Sequence, residues 1–287
     1  MEHLSYPAFH VLWTKPSDAT GRFSGMNKAE ILTMIISALM WQKYNGTIKL
    51  YTDNRGYQFI KEQNLLSLWD GGIDTDVLES NRYPINPEVF WAAGKLIALE
   101  AQDAPCVMLD TDLIVMRSLH DLLRGTSITA LHAENPEPEV YLEPSLLKCP
   151  KDFKFPESYN WDVWPSNTAF LYIREESFKK FYLNEAKRFM FHNTEQPAEA
   201  VSQMVFAEQR MLSICAEQKR VAINYLLTDP FSSSNNTVIH LWGFKNLLRQ
   251  NDKIQAIYSS QLIKSVENEL STNVFFNDYI EKHPCVC

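Results

Sequence analysis

Two carboxylates stand directly after a short apolar run near the middle of the chain. Val107-Met108-Leu109 leads into Asp110-Thr111-Asp112, and more apolar chain follows. The run predicts a buried strand, so both aspartates would lie at its carboxyl end, where ligands bind in parallel α/β sheets. Carboxylates at i and i+2 supply hard oxygen ligands for Mg²⁺ or Mn²⁺, and a metal there can bind a diphosphate. A polar loop after a strand is the alternative, because such triplets also arise by chance.

A second Asp-Thr-Asp triplet, at Asp74 to Asp76, has a different setting. It follows Gly71-Gly72 and has no comparable apolar run before it. Because glycine pairs mark turns, this copy predicts a turn on the solvated surface. The two triplets are interpreted as a coincidence.

The elements that must position Asp110 and Asp112 alternate between strand and helix. Asn27 with Glu30 is typical of a capping box, and Asn86-Pro87-Glu88 is typical of a helix start. Strands joined through helices predict crossover connections and a largely parallel sheet that is covered on both faces. The predicted strands of this half are 9–13, 48–52 and 106–109, and the predicted helices are 27–45, 57–66 and 87–102.

A proline-rich excursion interrupts the second half of the chain. Six prolines fall between Pro136 and Pro165, which predicts a long irregular segment of the kind that is often functional. Its aromatic rings, among them Trp161 and Trp164, either contact a ligand or anchor the loop to the core. The other predicted strands are 127–132, 168–173 and 238–242, and the predicted helices are 175–191, 198–217 and 246–270.

Composition excludes several classes of protein. Of the 287 residues 45% are hydrophobic and 22% are charged, which excludes disorder as the main state. The net charge of -8 leaves no basic surplus for a phosphate backbone, so nucleic acid is not an expected partner. The nine glycines form no GxGxxG, GxxxxGK or GxSxG motif. A phosphorylated ligand would therefore need a metal or single Lys and Arg side chains.

The start of the chain and its cysteines bear on location. No secretory signal pattern precedes Ser17, and the apolar stretch from Ile31 to Trp41 is far shorter than the ~20 residues that span a bilayer. Five scattered cysteines favour reduced thiols. These features predict a soluble cytoplasmic protein with no transmembrane segment. The Cys285 and Cys287 pair is interpreted as a free tail, with metal binding as the alternative.

The stretch from Phe90 to Val115 resembles the GT-A nucleotide-sugar glycosyltransferases, especially their family 8 and family 32 types. In those families a basic residue followed by Leu, here Lys95-Leu96, stands one helix ahead of an apolar strand and its Asp-x-Asp motif. The resemblance implies that Asp110 and Asp112 bind Mn²⁺ or Mg²⁺, which holds the donor diphosphate. It also implies that Lys95 meets that diphosphate.

Two later segments resemble the elements that surround the donor sugar in the same families. Ser166 to Phe170 is similar to the Phe-Asn-Ala-Gly-Val element, whose Asn, here Asn167, lies near the sugar. Ala207 to Arg210 is similar to the acidic-Gln pair of the same pocket. The resemblance implies that Asn167, Glu208 and Gln209 are the catalytic residues.

A fourth segment, from His240 to Lys245, resembles the HxxGxxK element but is one residue shorter. The resemblance implies that His240 is the third metal ligand. It also implies that Gly243 and Lys245 belong to the donor-binding part of the site, with Lys245 on the diphosphate.

These segments together predict an α/β fold of the GT-A type, Rossmann-like, with a mixed, mainly parallel sheet over residues 1–245 and a C-terminal helical appendage over residues 246–287. The expected activity is metal-dependent transfer of a hexose, with retention, from a nucleotide sugar to an acceptor hydroxyl on a saccharide or another molecule. Synthesis of a polysaccharide or glycoconjugate is the expected context. The expected acceptor platform is the set of aromatic rings in the excursion, which are Tyr141, Phe153, Phe155, Tyr159, Trp161 and Trp164.

Two other functions fit part of the pattern. A phosphohydrolase of the haloacid-dehalogenase type also begins with an apolar strand and an Asp-x-Asp motif, but it places the motif near the N-terminus and needs a later acidic pair. A non-catalytic nucleotide-sugar-binding protein of the same fold would keep the ligands without turnover.

Overall fold

The computed structural model describes residues 5–18, 25–80, 84–193, 200–232 and 236–283. Short strands recur throughout this described part. In chain order they are β1 (Ala8–Leu12), β2 (Ile48–Thr52), β3 (Ile73–Asp74), β4 (Cys106–Leu109), β5 (Leu113–Val115), β6 (Ile128–Ala130), β7 (Phe170–Ile173), β8 (Ile223–Tyr225) and β9 (Val238–His240).

Helices separate most of these strands, and three of them follow the last strand. In chain order they are α1 (Lys15–Asp18), α2 (Lys28–Tyr44), α3 (Asn54–Glu62), α4 (Asp76–Glu79), α5 (Ala93–Ala101), α6 (His120–Leu123), α7 (Glu176–Met190), α8 (Ala200–Val205), α9 (Met211–Lys219), α10 (Lys245–Gln250), α11 (Asp252–Leu270) and α12 (Val274–Lys282). A π-helical turn, Phe206–Arg210, joins α8 to α9.

Seven strands form one sheet in the order β3-β2-β1-β4-β7-β6-β8, and β5 pairs with β9 in a second, two-stranded sheet. Within the large sheet only the pairs β4 with β7 and β6 with β7 are antiparallel. Alternate residues of β4 belong to two hydrophobic cores: Val107 lies in the core that holds α2 and α11, and Met108 in the core that holds α5, α7 and α9. The predicted α/β class with a mixed, mainly parallel sheet covered on both faces is confirmed.

The sheet topology brings several chain segments to one edge. Because β4 and β6 run in the same direction and β7 runs against both, the ends of β4 and β6 meet the start of β7. The Asp110 N–H donates to the Ala169 carbonyl at 2.8 Å, and the Asn167 N–H donates to the His132 carbonyl at 2.9 Å. The residues after β4, before β7 and after β6 therefore lie side by side.

Helix α2 fills the centre of one core, as its almost continuous apolar sequence predicts. Its capping box is confirmed: the Glu30 N–H donates to Asn27 and the Asn27 N–H donates to Glu30, each at 2.9 Å. Ser37, buried on this helix, donates to the Leu113 carbonyl at 2.5 Å. The helix thereby supports β5, the strand that follows Asp112.

The helix expected from Pro87 begins six residues later, at Ala93, so the predicted start is wrong. The Asn86 side chain accepts from the Glu88 N–H at 3.0 Å, which closes a local turn instead of capping a helix. A Cβ atom at Gly94 would lie 2.8 Å from the Cβ of Trp13, so glycine lets α5 pack closely there. This contact fixes α5 one residue before Lys95.

The predicted C-terminal helix is present, but Asn251 divides it. The Asn251 side chain accepts from the Ile254 N–H at 3.0 Å and starts a new helix, α11. Leu262, Val266 and Leu270 of α11 are buried in the same core as α2. The division of the chain at residue 245 stays a prediction, and Cys285 and Cys287 lie outside the described residues.

The second Asp-Thr-Asp triplet, for which the sequence predicts a turn on the solvated surface, connects the end of β3 to the start of α4, with Asp76 exposed. Asp74 ends β3, and its side chain accepts from the backbone N–H groups of Asp76 and Val77 at 3.1 and 3.2 Å. Lys49 pairs with the same carboxylate at 3.1 Å. Local hydrogen bonds and one lysine account for Asp74.

Candidate active site

Three candidate metal ligands lie together at the edge of the sheet where β4 ends. Asp110, Asp112 and His240 each offer one ligand atom, and these atoms lie within 4.8 Å of one another. The Nε2 atom of His240 is 3.8 Å from Oδ2 of Asp112. Two carboxylates and an imidazole at this spacing are a donor set that fits a divalent cation.

Strand pairing brings His240 to the aspartates from more than 120 residues away along the chain. In the small sheet Leu113 of β5 stands opposite His240 of β9, and the Leu241 N–H donates to the Asp112 carbonyl at 3.0 Å. Burial lowers the pKa of His240 below its ordinary value, and the nearby aspartates only partly oppose this effect. The neutral imidazole has a lone pair to offer a metal.

Lys95 joins Asp110 to a second carboxylate. Its Nζ atom lies 2.7 Å from Asp110 and 2.6 Å from Glu208. Thr168 also donates to Glu208, at 2.7 Å. Burial alone would lower the pKa of Lys95, but the two carboxylates outweigh it and raise that pKa above its ordinary value. Lys95 in turn holds the pKa of Asp110 low, although burial acts to raise it.

Lys245 reaches the site although its segment is one residue shorter than the family element. Its Nζ atom lies 2.9 Å from Oδ2 of Asp112, and its side chain is 40% exposed. An ammonium group in this position competes with a cation for Asp112, and it is also free to pair with an anion that enters from solvent.

Lys245→Met is expected to have opposite effects on two ligands. Mn²⁺ alone should bind a few-fold more tightly, because Asp112 loses its competing cation, while a nucleoside diphosphate offered with Mn²⁺ should bind more weakly. Isothermal titration of Mn²⁺, and then of UDP, GDP, ADP and CDP with Mn²⁺, measures both effects. Lys253→Met, exposed on α11, is the control. Unchanged affinities in Lys245→Met would contradict this role.

Asn167 and Gln209 face the same region through different partners. The Asn167 side chain donates to Oε1 of Glu134 at 2.6 Å, and the Tyr141 hydroxyl donates to Oε1 of Gln209 at 2.5 Å. Gln209 lies in the π-helical turn with Glu208. Such turns occur often at functional sites.

A cleft of about 460 Å³ unites these groups. Each of the nine residues that the sequence predicts for the site lines it. They are Lys95, Asp110, Asp112, Asn167, Glu208, Gln209, His240, Gly243 and Lys245. The structure therefore brings together four segments that are far apart in the chain.

Sequence reasoning missed several residues that also line the cleft, notably Glu134, Asn135, Glu137, Trp91 and Trp242. Glu134 follows the end of β6, and polar residues after a predicted strand are a weak signal that applied equally well there. Trp242 lies inside the segment that resembles HxxGxxK, but at a position that the motif leaves open.

Of the aromatic side chains in the proline-rich excursion, Tyr141 lines the cleft, but the expectation is wrong for Trp161 and Trp164. Trp161 stacks on Phe206, with ring centroids 5.6 Å apart and planes at 15°, and it also contacts Phe155 and Tyr159. These rings anchor the loop to α9's side of the core. Trp164 is 57% exposed but is not part of the cleft lining. Neither tryptophan faces the candidate site.

Within the residues that the structure describes, no helix is both long and apolar enough to cross a membrane.

Several solved structures resemble this chain distantly. The WbbM bifunctional glycosyltransferase is 12% identical with a TM-score of 0.42, and the match covers 77% of this chain but only 38% of WbbM. Mouse xyloside xylosyltransferase 1 is 10% identical with a TM-score of 0.39, and the match covers 78% of this chain and 85% of the mouse protein.

A third structure carries a different name. It is 4-diphosphocytidyl-2C-methyl-D-erythritol synthase from Anaerococcus prevotii, 13% identical with a TM-score of 0.41, and the match covers 88% of this chain and 96% of that protein. Likenesses this distant do not decide a reaction.

Comparison of the sequence with known proteins identifies the family of this chain but not its activity. No curated protein has a significantly similar sequence. One family model matches residues 9–284, and so spans nearly the whole chain. This chain therefore belongs to the family of unknown function DUF6734.

Proposed function

We propose that this protein is a metal-dependent glycosyltransferase that moves a sugar from a nucleotide-sugar donor to an acceptor hydroxyl. One observation carries the proposal: a single cleft holds the Asp110, Asp112 and His240 cluster together with two lysines and a patch of hydrogen-bonding side chains. The cluster can hold a cation that binds a diphosphate, and the polar side chains beside it can bind a sugar.

Asp110, Asp112 and His240 would hold Mn²⁺ or Mg²⁺. When bound, the cation would offset the negative charge that develops on the leaving diphosphate. Lys245, which is partly exposed beside Asp112, would pair with a diphosphate oxygen. Lys95 pairs with both Asp110 and Glu208 and holds them close together, so it would fix the boundary between the diphosphate and the sugar.

Asn167, Glu208 and Gln209 would contact the donor sugar. Glu208 is only 3% exposed and is held by Lys95 and Thr168, so its position is rigid. Retention of configuration, a hexosyl donor and kinship with families 8 and 32 rest on the sequence resemblance, and they stay predictions. A role in polysaccharide or glycoconjugate synthesis and a cytoplasmic location stay predictions as well.

The phosphohydrolase alternative has less support. It needs Asp110 as an ionised nucleophile, and the pairing of that carboxylate with Lys95 at 2.7 Å is compatible with this role and with the proposed one. It also needs a further acidic pair for a metal, and among the described residues the one cluster able to hold an ion is Asp110, Asp112 and His240.

A thermal-shift screen of UDP-, GDP-, ADP- and CMP-sugars, each with and without Mn²⁺, tests the proposal. We expect sugars of one base to raise Tm by about 5 °C at a concentration of about 100 Kd, and only when Mn²⁺ is present. No metal-dependent shift with any donor would contradict the proposal. For a donor that binds, slow release of free sugar distinguishes the transferase from a non-catalytic binding protein.

A further inference from the structure

Glu134 is a carboxylate of the cleft that the proposed donor site does not use. Its backbone N–H donates to the Pro165 carbonyl at 2.8 Å, and its Oε1 atom accepts from Asn167 at 2.6 Å. These two bonds hold it rigidly beside the proposed sugar contact. Among the described residues nothing donates to its other oxygen, Oε2, and its side chain is 16% exposed. That oxygen is available to a ligand in the cleft.

Trp242 offers a flat apolar surface in the same cleft. Its backbone φ is +41°, a left-handed conformation that a bulky L residue rarely adopts. Strain of this kind persists where the surrounding structure enforces it, and it is concentrated at ligand sites. The indole lies nearly parallel to the His240 ring, at 14° and 6.2 Å between centroids, and it is 39% exposed. The ring of Phe231, itself 77% exposed, lies 5.6 Å from the indole at 30°. The part of the indole that these rings leave exposed is available to a ligand in the cleft.

His132 shows that Glu134 and Trp242 are neighbours. It is 3% exposed, its Nε2 atom is 4.0 Å from Oε1 of Glu134, and its ring centroid is 5.7 Å from that of Trp242. The carboxylate and the indole therefore flank the same buried side chain. Both also line the same cleft, so a sugar ring that contacts the indole lies in the part of the cleft that holds Glu134.

The charge of the cleft restricts what it can bind. Five carboxylates but only two lysines line it, and both lysines are already paired with carboxylates. A divalent cation and a nucleotide-sugar diphosphate would roughly cancel each other, so the acidic excess remains. Glu134 and Glu137 contribute to this excess and are not among the candidate metal ligands. An acidic ligand would be repelled there.

We propose, on the basis of the proposed function, that Glu134 and Trp242 form the acceptor subsite, and that the acceptor is a saccharide without acidic groups. One face of a sugar ring stacks on the indole of Trp242, and a ring hydroxyl donates to Oε2 of Glu134. The apolar face of the sugar thus contacts the indole, and one of its hydroxyl groups has a hydrogen-bond acceptor. Uronic acids and other anionic sugars are rejected by charge.

The test measures direct binding of defined oligosaccharides to the full chain by saturation-transfer NMR and isothermal titration. The probes are cellotriose, maltotriose and chitotriose as neutral sugars, and trigalacturonate as the acidic one. We expect at least one neutral probe to bind and trigalacturonate not to bind. Glu134→Gln and Trp242→Gly should each lower the affinity for the neutral probe at least about tenfold. Glycine tolerates the positive φ of residue 242, so this variant is expected to fold.

Trp164→Ala is the matched control, because Trp164 is an exposed tryptophan outside the cleft lining. Its affinity for the neutral probe should equal that of the wild type. The inference is overturned if no neutral probe binds, if trigalacturonate binds as well as the neutral sugars, or if Trp164→Ala and Trp242→Gly weaken binding equally. A wild-type chain that shifts with a nucleotide sugar and Mn²⁺ but binds no neutral probe would overturn the acceptor subsite alone. Absence of any nucleotide-sugar shift would instead refute the proposed function.

Discussion

Asp112→Asn is expected to weaken Mn²⁺ binding more than about 100-fold, because the change removes the charge of a metal ligand while keeping its shape. Asp112 is 5% exposed and lies next to both His240 and Lys245, so its position in the cluster is fixed by its surroundings. Electron paramagnetic resonance of free Mn²⁺ measures the affinity directly. Metal-dependent binding of any nucleotide sugar should be lost with it.

The chain contains its own control for this experiment. Asp76 occupies the same place in the second Asp-Thr-Asp triplet, is exposed, and starts α4. Asp76→Asn should leave the Mn²⁺ affinity unchanged. Equal affinities of Asp112→Asn and the wild type would show that the cluster is not a metal site, provided that thermal unfolding confirms that both variants are folded.

Lys95→Met is expected to lower the free energy of unfolding by about 2–4 kcal/mol, because it leaves two largely buried carboxylates side by side without their shared cation. Lys95 is 16% exposed, Glu208 is 3% exposed and Asp110 is 28% exposed, which places the loss at the lower part of the range for buried pairs. Urea denaturation at neutral pH measures it. The double variant Lys95→Met with Glu208→Gln should recover part of the loss, since only one of the two carboxylates then remains charged.

Lowering the pH should reduce the difference in the free energy of unfolding between Lys95→Met and the wild type. Lys95 holds the pKa of Asp110 below its ordinary value. The stability gained from this effect is present above the unfolded-state pKa of about 3.9 and is lost as pH falls through the lower folded-state pKa. Lys49→Met is the control, because Lys49 and Asp74 are 30% and 25% exposed at the edge of the sheet. A loss in Lys95→Met no larger than the loss of up to about 1 kcal/mol expected for Lys49→Met would contradict the structural role of Lys95.

Local sequence patterns predict the part of the site that belongs to a single strand. Asp110 and Asp112 follow β4 as the apolar run before them indicates, and the strand end places them in the candidate cleft. His240 and Lys245 carry no such local signal and were predicted only through resemblance. His240 and Lys245 lie near the aspartates because β5 pairs with β9, which joins segments far apart in the chain.

Other features depend on tertiary contacts that no local pattern records. Trp161 lies in a segment whose composition is typical of a ligand-binding loop. Its ring nevertheless stacks on Phe206, which belongs to the π-helical turn far away in the chain. Glu134 and Trp242 are far apart in the chain, and each lies beside His132 in the folded structure. Helix α5 starts later than predicted because the Asn86 side chain accepts a hydrogen bond within a local turn. The same side-chain oxygen would be the acceptor in an N-cap, so the sequence pattern does not distinguish the two.

The π-helical turn between α8 and α9 amounts to a one-residue insertion in an otherwise continuous helix. Within this turn the Glu208 carbonyl accepts from the buried Tyr182 hydroxyl at 2.6 Å. Deleting a single residue here would restore regular bonding and rotate α8 by about 100° relative to α9. Glu208 and Gln209 would then no longer reach Lys95 and Tyr141 at the same time. The length of this helix, and not only its composition, therefore encodes the cleft.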